Sequence, residues 1–186
     1  DDREHSFPSA TSLRKKIKEG KQSLANPLFL EDFQEMIYGA VLTRDMSSTY
    51  GAIEGIQHRL LSLLTPRISI HEYVEACSTK RYRPATIRRL LLHHLLHYTK
   101  EDHNKLQGTV YLRPLAYTKK GTEVLRALKQ ADYPLVSSLQ YPPEDEKIRA
   151  SLAFDIKASK LYQFKAGGDW EEYKRNLLYD TRGNKE

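Results

Sequence analysis

Apolar residues recur at helical spacing through residues 21–107, and polar stretches separate the repeats. In an amphipathic helix the side chains three and four positions apart share one face, so this spacing predicts helices that bury one side. The first such helix is expected over residues 31–42. The second starts near Ile53, continues through Leu64 and ends at Pro66, because proline cannot continue a helix.

Two further helices follow in the same region. Ser69 is placed to cap a helix that runs to about Cys77. Pro84 is tolerated at the first position of the next helix, where its missing N–H would have no partner in any case. Residues 45–50 and 99–108 are polar and are interpreted as connections. Residues 21–107 therefore predict a helical bundle.

The pattern changes after residue 108. Residues 109–117 are rich in strand-forming side chains, although Pro114 confines that strand to an edge or interrupts it. A helix from Thr118 or Lys119 to Lys129 and a second strand at residues 133–139 complete one strand–helix–strand unit. One or two helices are expected over residues 144–164, then a short helix from Gly167 and a tail. The fold class predicted is α+β, mainly α, with a helical bundle followed by this small unit and C-terminal helices.

The chain begins without an initiator methionine, so we expect it to be a fragment of a longer protein. Its first helix is expected to open at Ser9 or Thr11 and to close at Gly20. This segment is interpreted either as a capped surface helix or as an anion site. In the second case the hydroxyls and free N–H groups at its start, with Arg14 one turn further, would hold nucleotide phosphates.

Composition narrows the class of protein. The chain has 186 residues and a formal net charge of +6, which favours an acidic partner, and nucleic acid is the commonest one. The longest apolar run is too short to cross a bilayer, and a soluble cytoplasmic protein without a membrane partner is expected. Cys77 is the only cysteine, so no internal disulfide and no cysteine-rich metal site can form.

Positive charge is concentrated just before and inside the helix that follows Pro84. No acidic residue lies between Glu75 and Glu101, and the cations of this interval are Lys80, Arg81, Arg83, Arg88, Arg89 and Lys100. Cations at a helix N-terminus are poorly placed against the helix dipole, and a bound phosphate would relieve this. Tyr82 adds an aromatic plane beside two guanidinium groups, a combination that suits RNA backbone and unstacked bases. The alternative is a charged surface that only contacts solvent.

Other chemistry is weakly supported. His93 and His97 have the spacing that can direct two imidazoles at one metal ion, but no third ligand is evident, and packing or surface roles are expected. Cys77 lies near Lys80 and Arg81, yet without a positioned base we expect a buried and unreactive thiol. No catalytic residue and no metal ligand is predicted.

Several separate motifs in the same order resemble the C-terminal portion of the tRNA(Met) cytidine acetate ligase family, whose nucleotide domain carries a histidine-x-glycine-histidine motif. The matching segments are Ser9-Ala10-Thr11-Ser12-Leu13-Arg14, Glu54-Gly55 through Arg59-Leu60, Thr79-Lys80-Arg81-Tyr82, Ile87-Arg88-Arg89-Leu90-Leu91, Tyr111-Leu112-Arg113-Pro114-Leu115-Ala116-Tyr117, Lys120-Gly121 and Asp155-Ile156-Lys157-Ala158. Together they cover most of the chain.

The resemblance implies an enzyme that activates acetate with ATP, through an acetyl-adenylate, and acetylates the wobble cytidine of elongator tRNA(Met) to N4-acetylcytidine. It also implies that the N-terminal nucleotidyltransferase domain is missing here and that the fragment alone is inactive. Residues 1–20 would be the closing helix of that domain, residues 21–107 the bundle with the basic turn, and residues 108–186 the strand–helix–strand unit with its C-terminal helices. The residues expected to contact nucleotide phosphates are Ser9, Thr11 and Arg14, and those expected to contact tRNA are Lys80, Arg81, Tyr82, Arg83, Arg88 and Arg89.

Two other functions stay open. The apolar helices could instead pack onto the missing domain or onto a second copy of the chain, where the arginines would bind acidic side chains. This would make the chain a helical interaction or dimerisation module with no RNA binding of its own. A weaker possibility is a nucleotide-sensing domain in which Arg14 and the basic turn converge on one ATP. The sequence does not decide whether the basic turn and the helix of residues 9–14 face the same side.

Overall fold

The computed structural model describes residues 9–21, 27–108, 111–131, 133–136, 143–169 and 178–179. In this part of the chain eight α-helices, one 3-10 helix and two short strands are present, so the α+β, mainly α class is confirmed. The elements are α1 (Ala10–Lys18), a 3-10 helix (Leu30–Phe33), α2 (Gln34–Thr43), α3 (Ile56–Leu63), α4 (Ile70–Cys77), α5 (Pro84–Leu95), α6 (Lys100–Leu106), β1 (Ala116–Tyr117), α7 (Lys119–Gln130), α8 (Glu146–Ala166) and β2 (Leu178–Tyr179). None of the helices described combines the length and the apolar character that a membrane crossing requires.

The main core lies between α2, α3, α4 and α5. Its members are apolar side chains with almost no exposure, and they include Ile37, Met46, Ile56, Leu60, Ile70, Tyr73, Val74, Cys77, Ile87, Leu90 and Leu91. Tyr73 is fully buried, and its hydroxyl donates to the carbonyl of Leu60 at 2.8 Å. The ring of Tyr38 meets Tyr73 edge to face, with 5.3 Å between the centroids. The bundle predicted for residues 21–107 is thus built around one aromatic-containing core.

Helix starts follow local capping chemistry. Ser69 accepts from the N–H of Glu72, whose carboxylate accepts from the N–H of Ser69, and α4 begins there as predicted. Ser9 caps α1 and Thr118 caps α7, again at predicted positions. Pro84 is the first residue of α5. These boundaries are set by residues that lie next to each other in the chain, which is why the sequence predicts them.

Two predictions about the bundle are wrong, and a third, the connection at residues 45–50, is confirmed although part of it is buried. Residues 99–108 are not a linker, because Lys100–Leu106 forms α6, which starts with reciprocal hydrogen bonds between Thr99 and Asp102. Residues 45–50 are a connection, but Met46 and Thr49 in it are buried. The second predicted helix begins later than Ile53, at Ile56, since Gly55 before it adopts a left-handed conformation with φ of +81°.

The strand–helix–strand unit is present in a reduced form. Leu112 and Leu135 form a parallel bridge on either side of α7, in which the N–H of Leu112 donates to Pro134 and the N–H of Val136 donates to Leu112, both at 2.8 Å. The strand predicted before α7 is interrupted near Pro114, and its end, β1, pairs in parallel with β2 instead. Residues 178–179 are therefore a strand and not the predicted terminal helix or tail. Residues 109–110, 137–139 and 170–177 lie outside the described residues.

The predicted helical stretch after residue 143 is one continuous helix, α8, capped by Asp145 and ended by Gly167. It contacts the bundle through Phe154, whose ring lies edge to face on Tyr98 at 5.0 Å. The ammonium group of Lys157 donates to the carbonyl of Leu96, next to the end of α5. These contacts attach the second half of the chain to the helix that carries the basic turn.

Candidate nucleic-acid interface

The basic turn, residues 79–83, has a defined backbone conformation. The hydroxyl oxygen of Thr79 accepts hydrogen bonds from the N–H groups of Arg81 and Tyr82, at 3.2 and 3.0 Å. The N–H of Thr79 donates to the carbonyl of Tyr82 at 2.8 Å. Because these bonds close the turn on itself, its cationic side chains project from a fixed backbone at the start of α5.

Most cations of this region have no acidic partner. Lys80, Arg81, Arg83 and Arg89 are exposed, and in the described part of the chain no carboxylate lies within ion-pair distance of them. The Arg81 guanidinium lies 5.8 Å from the centre of the Tyr82 ring, close enough for a cation–π contact. The turn therefore presents uncompensated positive charge with an aromatic ring beside it.

Arg88 differs from its neighbour Arg89. It is half-exposed and lies 3.7 Å from the carboxylate of Glu75 on α4. Adjacent residues point about 100° apart around a helix, so the two arginines are directed to different surfaces. Arg88 lines a groove that Arg89 does not line.

The first helix carries a second cationic surface. Ser9 accepts from the N–H of Ser12 at 3.2 Å, which leaves its own hydroxyl proton available to another acceptor. Thr11 and Arg14 are exposed, and no acidic side chain among the described residues pairs with Arg14. A hydroxyl pair and an arginine at a helix start form a donor set that fits a phosphate group.

A groove of about 860 Å³ connects α1 with the bundle. Its walls come from α1, from residues 28–33, from the start of α4 and from α5. Arg14 and Arg88 both line it, so the structure brings one predicted nucleotide-binding residue and one predicted RNA-binding residue to the same cavity. The remaining RNA-binding candidates of the basic turn do not line it.

Apolar side chains form much of the groove surface, and charged residues stand around them. Phe29, Phe33, Ile70 and Leu92 are among its lining residues. Lys18 lies 4.7 Å from the centre of the Phe29 ring. The groove therefore offers both an aromatic surface and cationic groups.

Lysines neutralise the carboxylates of the groove. The ammonium group of Lys18 donates to Glu31 at 2.7 Å and lowers the pKa of that carboxyl below its usual value. Glu19 is bound by Lys21 at 2.6 Å and lies 3.9 Å from Lys15. The two arginines are thus the cations of the groove that remain most available to an anionic ligand.

Sequence reasoning missed part of this surface, although a signal was present. Thr11, Arg14, Lys15 and Lys18 are three, four and seven residues apart, which places them on one face of a helix. All four line the groove. No spacing in the sequence places Phe29, Phe33 and His71 with these residues, because they reach the groove only through the packing of separate segments.

The histidines and the cysteine have structural surroundings. His94 is buried between Thr49 and the Ala40 carbonyl, and Nδ1 of His93 lies 3.0 Å from the carbonyl oxygen of Tyr50. No set of three potential metal ligands occurs among the residues with described placement. Cys77 is buried, and burial raises the pKa of its thiol. Because the thiolate is the reactive form, this agrees with the unreactive cysteine expected from the sequence.

This chain is similar to one protein family model and to several curated enzymes. A family model described as HIGH nucleotidyl transferase matches residues 1–176. The tRNA(Met) cytidine acetate ligase of Caldanaerobacter subterraneus subsp. tengcongensis is 27% identical over 184 residues, covering 86% of this chain and 45% of that protein. The enzyme of the same name from Bacillus subtilis is 33% identical over 126 residues, covering 66% of this chain and 29% of that protein. The chain thus spans less than half the length of these relatives.

Solved structures share the fold. The crystal structure of Thermotoga maritima TmcAL in its apo form superposes with a TM-score of 0.71 at 23% identity, over 91% of this chain and 45% of that chain. The same protein bound with alpha-thio ATP gives a TM-score of 0.70 at 21% identity, over 91% and 46%. Because the family model extends over nearly the whole chain and homologous ligases match the same region, the chain belongs to the HIGH nucleotidyl transferase family and is a homologue of the tRNA(Met) cytidine acetate ligases.

Proposed function

We propose that this chain is the tRNA-binding C-terminal region of an ATP-dependent tRNA(Met) cytidine acetate ligase. The complete enzyme would form N4-acetylcytidine at the wobble position of elongator tRNA(Met) through an acetyl-adenylate. The name of its homologues, tRNA(Met) cytidine acetate ligase, supports the joining of acetate to a cytidine of tRNA(Met), and one observation carries the RNA-binding role. That observation is the exposed basic turn together with Arg89 of α5, because Lys80, Arg81, Arg83 and Arg89 lack acidic partners in the part of the chain described.

The basic turn has the chemistry of a phosphate-binding surface. Guanidinium groups bind phosphate through two parallel hydrogen bonds, which a hydrated surface lysine does not offer. Tyr82 is half-buried beside Arg81, so an RNA base can stack where the backbone is held. The start of α5 adds the positive end of a helix dipole. The guanidinium groups and the helix start attract the phosphates of an RNA strand, and Tyr82 offers a surface for one of its bases.

The first helix would serve the nucleotide. Ser9, Thr11 and Arg14 form a donor set that fits ATP phosphates, and the complete site would also need an N-terminal nucleotidyltransferase domain. ATP supplies the activation of acetate when it is bound, and these three residues would only hold and orient its phosphates. We accordingly divide the chain into residues 1–20, which close the nucleotide domain, residues 21–107, which carry the basic turn, and residues 108–186.

The test is the salt dependence of tRNA binding. If the four unpaired cations each neutralise one phosphate, the slope of log K against log salt concentration is about −3, at roughly −0.7 to −0.9 per contact. The double variant Arg81→Glu, Arg89→Glu should halve this slope to about −1.5 and weaken binding at every salt concentration. A matched control is Arg126→Glu, Lys129→Glu, which changes the same charge on exposed positions of α7.

The proposal fails if the slope is near zero, or if both double variants weaken binding equally. Elongator tRNA(Met) and an unrelated tRNA should be compared in the same series. A preference for tRNA(Met) would show that this region also supplies specificity, and equal binding would leave selection to the rest of the enzyme.

A second candidate function is a dimerisation module without RNA binding of its own. The observation in its favour is the exposed apolar surface of the strand–helix–strand unit, where Leu115 is 69% and Val124 is 59% exposed. Sedimentation of the isolated chain separates the two functions. Tight self-association without tRNA binding at low salt would favour the module, whereas a monomer that binds tRNA would exclude it.

A further inference from the structure

We infer that the groove between α1 and the bundle holds one unstacked nucleotide of the bound RNA. Its base would lie on Phe29 and Phe33, and its phosphate would be bound by Arg88. The inference rests on the proposed function and deepens it, because it separates a nucleotide pocket from the phosphate contacts of the basic turn.

The groove has the size and the surface of a ligand site. Its volume of about 860 Å³ falls within the usual range for such sites, about 300 to 1,000 Å³. Phe29 and Phe33 are half-buried and line the groove, which leaves part of each side chain exposed to a ligand, and the Lys18 ammonium lies 4.7 Å from the centre of the Phe29 ring. Bases of any kind stack on such rings, and single-stranded nucleic acids are commonly held in this way.

Charge complementarity favours a phosphate-bearing occupant. Arg14, Lys15, Lys18 and Arg88 line the groove together with two carboxylates, Glu19 and Glu31. Lysines already bind both carboxylates, at 2.7 Å and 2.6 Å. Arg88 has only a 3.7 Å contact with the half-exposed Glu75, so its guanidinium can turn to a phosphate at small cost.

The position of the groove also fits a nucleotide of the RNA. Arg88 lies five residues after Arg83, the last residue of the basic turn, which is about 7.5 Å along the axis of α5. Arg14 contributes to another wall, on the helix proposed to hold ATP phosphates. An RNA strand bound at the basic turn could therefore place one nucleotide beside the nucleotide helix, as a transfer between the two requires.

The first experiment measures how much the bases contribute to binding. Fluorescence anisotropy would compare a labelled twelve-nucleotide oligocytidylate with a ribose-phosphate strand of the same length that lacks all bases. We expect wild type to prefer the intact strand by about 5- to 160-fold for each base that stacks on the protein. Phe29→Leu keeps the apolar volume but removes the ring, and it should reduce this preference while binding of the base-free strand stays the same.

Phe164→Leu, on α8 and outside the groove, is the matched control and should behave as wild type. Circular dichroism melting of each variant checks that it is folded. If RNA binds normally and Phe29→Leu leaves the preference unchanged, the pocket is refuted while the proposed function stands.

The second experiment tests the pocket with a mononucleotide, in the absence of RNA. Cytidine 5′-monophosphate would be titrated into the chain at millimolar concentration while NMR follows the ring signals of Phe29 and Phe33. We expect saturable shifts that Arg88→Gln abolishes and Arg89→Gln retains. Such shifts in a chain that fails to bind tRNA would refute the proposed function and overturn the assignment of the pocket to bound RNA, because only a mononucleotide site would remain. The absence of shifts, or shifts with ATP alone, would overturn the pocket.

Discussion

Acidification should destabilise this protein through one buried histidine. His94 is 1% exposed, with Nε2 3.0 Å from the Ala40 carbonyl oxygen and Nδ1 2.9 Å from the Thr49 hydroxyl. A carbonyl can only accept, so Nε2 carries the proton and Nδ1 accepts from Thr49. Burial lowers the pKa of His94 below its usual value, and the Ala40 hydrogen bond opposes that shift only in part.

The size of the effect follows from proton linkage. In the unfolded chain a histidine titrates near pH 6.5, whereas His94 in the folded chain stays neutral to lower pH. Below pH 6.5 the unfolded state therefore binds one more proton. Stability that is complete above pH 6.5 is lost as the pH falls, by up to about 1.4 kcal/mol per pH unit, until the folded-state pKa is reached.

Urea unfolding at pH values from 7.5 to 5.0 would measure this loss, with circular dichroism as the signal. His94→Gln should be less stable than wild type at pH 7.5, because the glutamine cannot reproduce both hydrogen bonds, and its stability should depend less on pH. His58→Gln is the matched control, since it removes an exposed histidine from α3 and should keep the wild-type slope. Equal slopes for wild type and His94→Gln would refute the reasoning, as would an NMR titration of native His94 near pH 6.5.

Three further perturbations have defined outcomes. Tyr73→Phe removes the donor to the buried Leu60 carbonyl and should lower the free energy of unfolding by about 1 to 3 kcal/mol in urea titrations; an unchanged midpoint would contradict this. Cys77 should not react with a thiol reagent in the native protein and should react on unfolding, because the thiol is buried and burial raises its pKa; equal rates in buffer and urea would show otherwise. Lys157→Met should speed amide hydrogen exchange in α8, since the Leu96 carbonyl loses its donor, whereas the exposed Lys147→Met should not.

Local chemistry made much of the secondary structure predictable. Ser69 with Glu72, and Pro84 at the first turn of α5, mark helix starts through residues within one turn of each other. The same kind of signal was present at Thr99 and Asp102, but the polar composition of residues 99–108 was interpreted as a linker. Helix α6 has few apolar residues of its own and packs against α8, which begins at Glu146, 40 residues after the end of α6 at Leu106. A contact between segments so far apart in the chain cannot be read from the pattern of residues within either segment.

The sequence by itself determined the basic turn, its excess of positive charge and the helix that it opens, because these depend on neighbouring residues. Helix geometry alone directs Arg88 and Arg89 to different surfaces. Only the tertiary structure decided that Arg88 meets Arg14 in one groove. That convergence depends on contacts between distant segments, such as Lys18 with Glu31 and the Gln34 side chain with the Ile70 N–H at 2.6 Å. Helical periodicity specifies which face of a helix is polar, but the element that faces it is set by how all the helices pack together.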